Sequence, residues 1–329
     1  LLRERVAAFV PGASRENVTV VNGGSEANHL TLWALLEPKD EIAVMVPNYM
    51  QGWGLGRHFT GGARAFSLRL RRGRWALDVD GLNLAVTRKT RVILVCNPNN
   101  PTGAVFNEEE MDAVVAAARR AGAWILADEI YRGAELEGEA ITPSFFGRYD
   151  RVAVTGGLSK AFGLPGLRIG WVVGPKALIE KVWVRHDYTT LTPGMLSDRL
   201  GAAALEPNRR DAILARTRRI VRRQWPRLEE WLRQHEDVFA WAPPQAGAIA
   251  LARYRLPVGS AALVERVRRE QSVLLVPGDM MGAGRSLRFG FGYDIARTLA
   301  GLRRVDKTLA ALAVRKPTAA SAGRRRGSR

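Results

Sequence analysis

The 329-residue sequence predicts an α/β fold, in which a mostly parallel sheet is sandwiched by helices and joined to a smaller C-terminal α+β domain. In the first half of the chain, short apolar runs alternate with helical patterns, as in buried parallel sheets that carry helices on both faces. Beyond Pro175 the pattern changes to long, arginine-rich amphipathic helices followed by spaced strand candidates. The change indicates two domains of different architecture.

Seven strands are expected in the large sheet. Each candidate is a short run rich in β-branched or apolar residues. The runs are Val18 to Val21, Ile42 to Val46, Ala63 to Leu68, Val92 to Cys96, Trp124 to Ala127, Val152 to Thr155 and Ile169 to Val173.

Helical periodicity separates several of these runs. Apolar residues follow a helical spacing from Glu26 to Leu36 and from Glu108 to Ala121. We expect Asn107 to cap the second helix, because three glutamates follow it and favour the positive end of the helix dipole.

In the second domain we expect a helix from Arg209 to His235 with a kink at Pro226, then three strands and a closing helix. The strands are Ala248 to Ala252, Val273 to Val276 and Leu287 to Phe291, and the helix is Asp294 to Val314.

These patterns divide the chain at residue 175. Residues 1–174 are expected to form the large domain, and residues 175–314 the interdomain helix and the small domain. Residues 315–329 carry six basic and no acidic residues, and we expect this tail to be disordered. Because Leu1 stands in place of a methionine and an amphipathic stretch follows at once, we expect the chain to begin inside a domain.

Composition excludes several classes of function. Hydrophobic content is 47%, and no stretch approaches the ~20 apolar residues that cross a bilayer. The single cysteine, Cys96, allows no internal disulfide, and without a secretory signal a cytoplasmic location is expected. The net charge is +18, but no pattern of aromatic residues is interleaved with the basic ones, so no nucleic-acid role is expected. The four histidines are far apart, and no metal site is expected.

The most informative segment runs from Gly156 to Gly170 and sets Lys160 among small residues, with Arg168 eight positions later. A lysine amine attacks a carbonyl only when deprotonated, and burial beside a second cation lowers its pKa. Lys160 is therefore predicted to be a Schiff-base nucleophile, and Arg168 to hold an anion such as a phosphate.

Polar residues follow the predicted strands, at the edge where a doubly wound sheet binds ligands. Gly24 and Ser25 open a helix whose amides can hold a phosphate. Tyr49 can stack on a flat heterocycle. Two Asn-Pro pairs after Cys96 form a rigid turn that aims Asn100 inward.

Asp128 directly follows the apolar run that begins at Trp124, and Tyr131 comes three residues later. A buried aspartate needs a cationic partner or several hydrogen bonds. A protonated ring nitrogen would be such a partner.

In order and spacing, these residues resemble the class I/II aminotransferase family of fold-type I, pyridoxal-phosphate-dependent enzymes. The resemblance extends from about Leu1 to Ala313. Its most specific parts are Asn-Pro-Asn-Asn-Pro-Thr-Gly from Asn97, Asp128 with Tyr131, and the Ser-Lys pair at Lys160 followed by Arg168. The resemblance implies pyridoxal 5'-phosphate as cofactor, amino-acid and 2-oxo-acid substrates, and a homodimer.

By that resemblance, Lys160 forms the Schiff base and later carries a proton between the substrate α-carbon and the cofactor. Asp128 keeps the ring nitrogen protonated, while Tyr131 and Asn100 hydrogen-bond the ring 3-oxygen. Tyr49 stacks on the ring.

The resemblance also assigns the two ends of the site. Gly24, Ser25 and Arg168 hold the cofactor phosphate. Arg288 pairs with the substrate α-carboxylate, and Asn100 belongs to the substrate site as well.

The chain departs from the family pattern in two places. Many relatives carry a serine where this chain has Gly157, so Ser159, Thr155 or a partner subunit is expected to supply that phosphate contact. By the same resemblance, we expect this sequence to lack the N-terminal arm of the family. Residues 186–190 lie where such relatives reach toward a neighbouring subunit, and we hypothesise the same contact.

The leading expectation is an aminotransferase that works through a Lys160 Schiff base. One alternative is another outcome of the same carbanion, either elimination by a lyase or cyclisation of a modified arginine, as in capreomycidine synthase-like relatives. A second alternative is the ligand-sensing domain of a transcriptional regulator that carries this fold. The sequence does not discriminate among amino-acid side chains as substrates.

Overall fold

The computed structural model describes residues 1–313, so the predicted tail at 315–329 lies outside the described residues. The predicted domain boundary at residue 175 stays a prediction. Within residues 1–313, no helix has the length and apolar character needed to cross a membrane.

The large sheet has eight strands. In chain order they are β1 (Val18–Val21), β2 (Glu41–Val46), β3 (Gly62–Arg71), β4 (Arg74–Leu77), β5 (Thr90–Cys96), β6 (Trp124–Asp128), β7 (Val152–Gly157) and β8 (Gly170–Val173). Their order across the sheet is β1-β8-β7-β6-β5-β2-β3-β4. The central strands β3, β2, β5, β6 and β7 run parallel, and β8 runs antiparallel to both of its neighbours.

The expectation of seven strands is one strand too few. The additional strand, β4, pairs antiparallel with β3 at the edge of the sheet. Only Trp75 and Leu77 of this strand are buried, so it contains no continuous apolar run. The pattern used to find buried strands therefore did not reveal it.

Helices cover both faces of the large sheet. They are α1 (Leu2–Phe9), α2 (Gly24–Leu35), α3 (Gln51–Phe59), α4 (Val79–Ala85), α5 (Glu108–Ala121), α6 (Lys176–His186) and α7 (Met195–Ala204). Successive residues of β2 point to opposite faces: Val44 packs in the apolar cluster under α2 and α6, and Met45 in the cluster that includes α1 and α5. Burial on both faces explains the continuous apolar runs of these strands.

The start of α5 confirms the capping role predicted for Asn107. The Asn107 side chain accepts a hydrogen bond from the Glu110 backbone amide at 2.8 Å, and the Glu110 carboxylate accepts one from the Asn107 amide at 2.9 Å. This reciprocal pair satisfies two amides that the helix leaves unpaired.

The small domain is built on a four-stranded antiparallel sheet. Its strands are β9 (Phe239–Trp241), β10 (Ile249–Tyr254), β11 (Val276–Pro277) and β12 (Ser286–Gly290), in the order β11-β12-β10-β9. Helices α8 (Pro207–Arg233), α9 (Ser260–Gln271) and α10 (Ile295–Ala313) pack against it. Of the strand predicted from Val273 to Val276, only Val276 lies in a strand, β11. Strand β9 was not predicted. Helix α8 continues through Pro226.

Candidate active site

Two adjoining cavities lie at the carboxyl ends of the parallel strands, as expected for a doubly wound sheet. The smaller measures about 320 Å³ and the larger about 730 Å³. They share Tyr131, Lys160 and Arg288, so these three side chains form the boundary between them. The smaller cavity is lined by Gly24, Ser25, Asn28, Tyr49, Cys96, Asn100, Asp128, Ile130, Tyr131, Lys160 and Arg288.

Lys160 follows β7 and faces both cavities. Partial burial lowers the pKa of its amine, and the positive charges of Arg288 and Arg168 lower it further, while the carboxylate of Asp128 opposes the shift. The free amine needed for attack on a carbonyl is therefore favoured. The sequence suggested Arg168 as the neighbouring cation, and in the structure Arg288 has the larger effect.

Asp128 ends β6 and is placed at the wall of the smaller cavity. Its two oxygens accept hydrogen bonds from the Asn28 amide at 2.9 Å and from the Ile130 backbone amide at 3.1 Å. Burial raises the pKa of this carboxyl group, and the Asn28 hydrogen bond opposes that effect. Within residues 1–313 no cationic side chain forms an ion pair with Asp128, so its charge remains available to a ligand cation in the cavity.

Tyr131 and Asn100 line the smaller cavity together with Arg288. Burial raises the pKa of the Tyr131 phenol, which keeps the hydroxyl protonated and able to donate. Asn100 is buried, and its side-chain oxygen accepts a hydrogen bond from Arg288 Nη1 at 3.1 Å. The Nε atom of Arg288 is also buried and has no hydrogen-bond partner in the described part of the chain. The guanidinium therefore keeps one donor that the described residues do not satisfy.

The start of α2, whose Gly24 and Ser25 line the smaller cavity, offers a site for an anion. Helix α2 begins at Gly24, after Gly23 in a backbone conformation with φ 99° that suits glycine. The guanidinium of Arg168 lies against Gly23, where a Cβ atom would collide with it. Arg168 itself has a left-handed backbone with φ 51°, and its Nη1 lies 3.4 Å from the Ser159 hydroxyl. Helix amides, a hydroxyl and a guanidinium thus converge where a phosphate can bind.

The segment 186–190, hypothesised to contact a second subunit, partly faces its own chain. His186 is buried, and the hydroxyls of Thr189 and Thr190 donate to the Glu26 carboxylate at 2.7 and 2.9 Å. Burial would raise the pKa of Glu26, but these hydrogen bonds lower it overall. Of the segment, Tyr188 remains 79% exposed and can still reach a partner.

The structure distinguishes between Thr155 and Ser159, the two residues of this chain that were expected to supply the phosphate contact of the serine absent at Gly157. The Thr155 hydroxyl is fully buried and donates to Asn28, so it does not face the phosphate end. Ser159 lies beside Arg168 and is the better candidate. Thr155 is the poorer candidate, because its hydroxyl bonds Asn28 inside the protein.

Three residues that line the smaller cavity were not predicted from the sequence as site residues: Asn28, Cys96 and Ile130. Asn28 could have been recognised from the sequence, because it is a polar residue on the buried side of α2, beside Ala27 and Leu30. Burial raises the pKa of the Cys96 thiol, which keeps it protonated and unreactive. Cys96 and Ile130 thus contribute mainly to the shape of the cavity.

The residues present fit pyridoxal phosphate, the cofactor that the resemblance implies. Asp128 offers an unpaired negative charge for the ring nitrogen, and Tyr49, 51% exposed, offers a ring at the cavity wall. Lys160 supplies an amine for the aldehyde, and the start of α2 with Arg168 supplies a phosphate site. Each part of the cofactor has a chemical counterpart in the site.

Comparisons with known proteins agree with this geometry. The chain is 31% identical to capreomycidine synthase of Streptomyces vinaceus over 99% of this chain and 81% of that protein. It is 28% identical to an aspartate aminotransferase of Streptomyces avermitilis over 89% of this chain and 74% of that protein. A solved structure of a PLP-dependent aminotransferase from Streptococcus suis superposes with a TM-score of 0.86 at 27% identity, covering 94% of this chain and 81% of the other.

The sequence also matches the profile of the family described as "Aminotransferase class I and II" over residues 1–304. The match covers both sheets and every residue of the two cavities. The chain therefore belongs to the class I and II aminotransferase family of fold-type I enzymes, whose cofactor is pyridoxal 5'-phosphate.

Proposed function

We propose that the protein is an aminotransferase that moves an amino group between an L-amino acid and a 2-oxo acid. The observation that carries the proposal is the position of Lys160, whose amine has a lowered pKa and lies at the junction of the two cavities. One cavity fits the cofactor, and the other is lined by Lys160 and Arg288 together with residues of the small domain. A lysine in this place can reach both the cofactor and the α-carbon of a substrate.

When bound, pyridoxal phosphate supplies an aldehyde that takes up amino groups and a ring that accepts electrons from the substrate α-carbon. Lys160 Nζ is the group that would bond this aldehyde in the absence of substrate. As a free amine, Nζ would take a proton from the substrate α-carbon and, as an ammonium, would return it to the substrate or the cofactor. Asp128 would hold a protonated ring nitrogen, and Tyr131, whose hydroxyl stays protonated because burial raises its pKa, would donate a hydrogen bond to the cofactor.

Arg288 and Asn100 orient the substrate. The free edge of Arg288 can hold the α-carboxylate through two parallel hydrogen bonds, while Asn100 fixes the other edge of the guanidinium. A substrate held in this way presents its α-carbon to Lys160.

A panel of L-amino acids tests the proposal. Protein loaded with pyridoxal phosphate is mixed with each amino acid, and the conversion of the cofactor to pyridoxamine phosphate is followed together with the release of the 2-oxo acid. We expect at least one amino acid to give both products in equal amounts. Bound cofactor that no amino acid converts would contradict transamination.

Cyclisation is the second candidate, and the relationship to capreomycidine synthase favours it. A cyclase or lyase would use the same lysine and aspartate to form a carbanion but would return the cofactor in its aldehyde form. Product analysis separates the two functions. A cyclic amino acid from a modified arginine, or pyruvate and ammonia, formed without pyridoxamine phosphate would favour cyclisation or elimination over transfer.

We also propose that the protein is a homodimer and that it is cytoplasmic. The dimer is supported by an exposed apolar surface on α6, α7 and the segment between them, formed by Trp183, Tyr188, Leu191, Leu196 and Leu200. Light scattering should show a dimer, and Leu196→Glu should dissociate it. Leu84→Glu is the matched control, because Leu84 is as exposed as Leu196 but lies on α4. A native monomer would contradict the proposed dimer.

A further inference from the structure

We infer that Asn28 is a positioning residue for Asp128, and that Thr155 fixes the orientation of Asn28. The three side chains form a chain of hydrogen bonds behind the cofactor cavity, from Thr155 to Asn28 to Asp128. The inference rests on the function proposed above only in that both require pyridoxal phosphate in this cavity.

The three residues come from three neighbouring elements. Asn28 lies on α2 and is 7% exposed, and Thr155 lies on β7 and is fully buried. The Thr155 hydroxyl donates to Asn28 Oδ1 at 2.6 Å, and Asn28 Nδ2 donates to Asp128 Oδ2 at 2.9 Å. Burial protects both bonds from water, which increases their influence on the carboxylate.

The direction of this chain follows from hydrogen-bond chemistry. A carboxylate only accepts, so the amide of Asn28 must present Nδ2 and not Oδ1 to Asp128. Its oxygen then needs a donor on the other side, which the Thr155 hydroxyl supplies. If the amide were reversed, two oxygen atoms would face each other at Asp128. The Thr155 hydroxyl satisfies the Asn28 oxygen, so in the orientation that Asp128 requires both ends of the amide have a partner.

The two groups that donate hydrogen bonds to Asp128 are neutral, and the charge of Lys160 acts on the carboxylate without forming an ion pair with it in the described part of the chain. Its other oxygen accepts from the backbone amide of Ile130. Neither donor is a cation, so the carboxylate is held in place while its negative charge remains available to the ring nitrogen. Loss of the Asn28 bond would favour the protonated acid, because burial already disfavours the charged form.

The experiment compares two cofactors that differ at one atom. Pyridoxal phosphate has the ring nitrogen, and 1-deazapyridoxal phosphate has carbon in its place. Dissociation constants for both are measured by titration with the full chain and with Asn28→Ala, Thr155→Val and Thr155→Ser. Thr31→Val is the matched control, because Thr31 is also a buried hydroxyl on α2 but donates to the Ala27 carbonyl.

We expect the native chain to prefer pyridoxal phosphate over its deaza analogue. Asn28→Ala should reduce that preference about 10- to 100-fold, the effect of losing one hydrogen bond to a charged group, with little change in affinity for the analogue. Thr155→Val should have a smaller effect of the same kind. Thr155→Ser, which retains the hydroxyl, and Thr31→Val should keep the native preference.

Equal weakening of both cofactors by Asn28→Ala would overturn the inference, because a structural defect does not depend on the ring nitrogen. A native chain that does not discriminate between the cofactors would overturn it as well. Thermal unfolding of each variant, measured alongside, identifies folding defects. A native chain that shows the expected preferences but transfers no amino group would contradict the proposed function and leave this inference standing.

Discussion

Replacing Arg288 by glutamine should weaken the binding of amino-acid substrates while sparing amines that lack a carboxylate. In the structure, Arg288 uses Nη1 to hold Asn100 and keeps the Nε edge unpaired in a buried position. The substrate carboxylate would gain two charge-assisted hydrogen bonds there. At the lower end of about 1.5 kcal/mol each, their loss amounts to about 3 kcal/mol, or roughly 150-fold in affinity.

The assay is a single-turnover reaction of the loaded enzyme with an L-amino acid and with the corresponding decarboxylated amine. For the amino acid, Arg288→Gln should lower the ratio of maximal rate to apparent dissociation constant by roughly the 150-fold worked out above. The amine makes no contact with the guanidinium, so its reaction should change little. Arg288→Lys is the matched variant, because it retains the charge but loses the paired geometry.

The same substitution should change Lys160. Burial and then the charge of Arg288 are the main causes that lower the pKa of the Lys160 amine. Without that charge the pKa rises, so less free amine is present near neutrality, and the pH profile for capture of pyridoxal phosphate by cofactor-free protein should move to higher pH. Equal losses for amino acid and amine, together with an unshifted profile, would refute the role given to Arg288.

Three further predictions concern the surroundings of the site. Gly157→Ser should destabilise the fold by about 1–3 kcal/mol in urea unfolding, because its Cβ would lie 2.8 Å from the Ile169 carbonyl oxygen; unchanged stability would contradict this. Burial raises the pKa of Glu129 to about 7 from 4.5, so the native state holds an extra proton and stability should fall as pH rises through that window. Glu129→Gln should remove up to about 3 kcal/mol of this pH dependence, and a slope that persists in the variant would count against it. Arg168→Ala should weaken binding of pyridoxal phosphate about 10- to 100-fold but not that of pyridoxal, and calorimetry showing equal losses would exclude a phosphate contact.

The parts of the site that lie at strand ends could be predicted from the sequence. Asp128 and Lys160 each follow an apolar strand, and the topology of a parallel sheet brings such positions to one edge. The capping of α5 by Asn107 could also be predicted from the sequence, since it depends on two residues that are three positions apart. Their roles in catalysis stay predictions.

Contacts between distant segments could not be predicted in this way. Asn28 reaches Asp128 across 100 positions of sequence, and Arg288 reaches Asn100 across 188. No local pattern encodes these pairings, because they arise only when α2 and the small domain pack against the large sheet. The short edge strands β4 and β9 were not predicted for a related reason. They are defined more by pairing with a neighbouring strand than by their own composition.

Reductive trapping of the cofactor tests the central claim, that Lys160 is the residue that holds pyridoxal phosphate. The protein is incubated with the cofactor, reduced with borohydride and digested, and mass spectrometry locates the modified lysine. We expect the label on Lys160, its loss in Lys160→Ala, and its retention in Lys176→Ala, where an exposed lysine on α6 is removed. A label on another lysine, or one that persists in Lys160→Ala, would contradict the account.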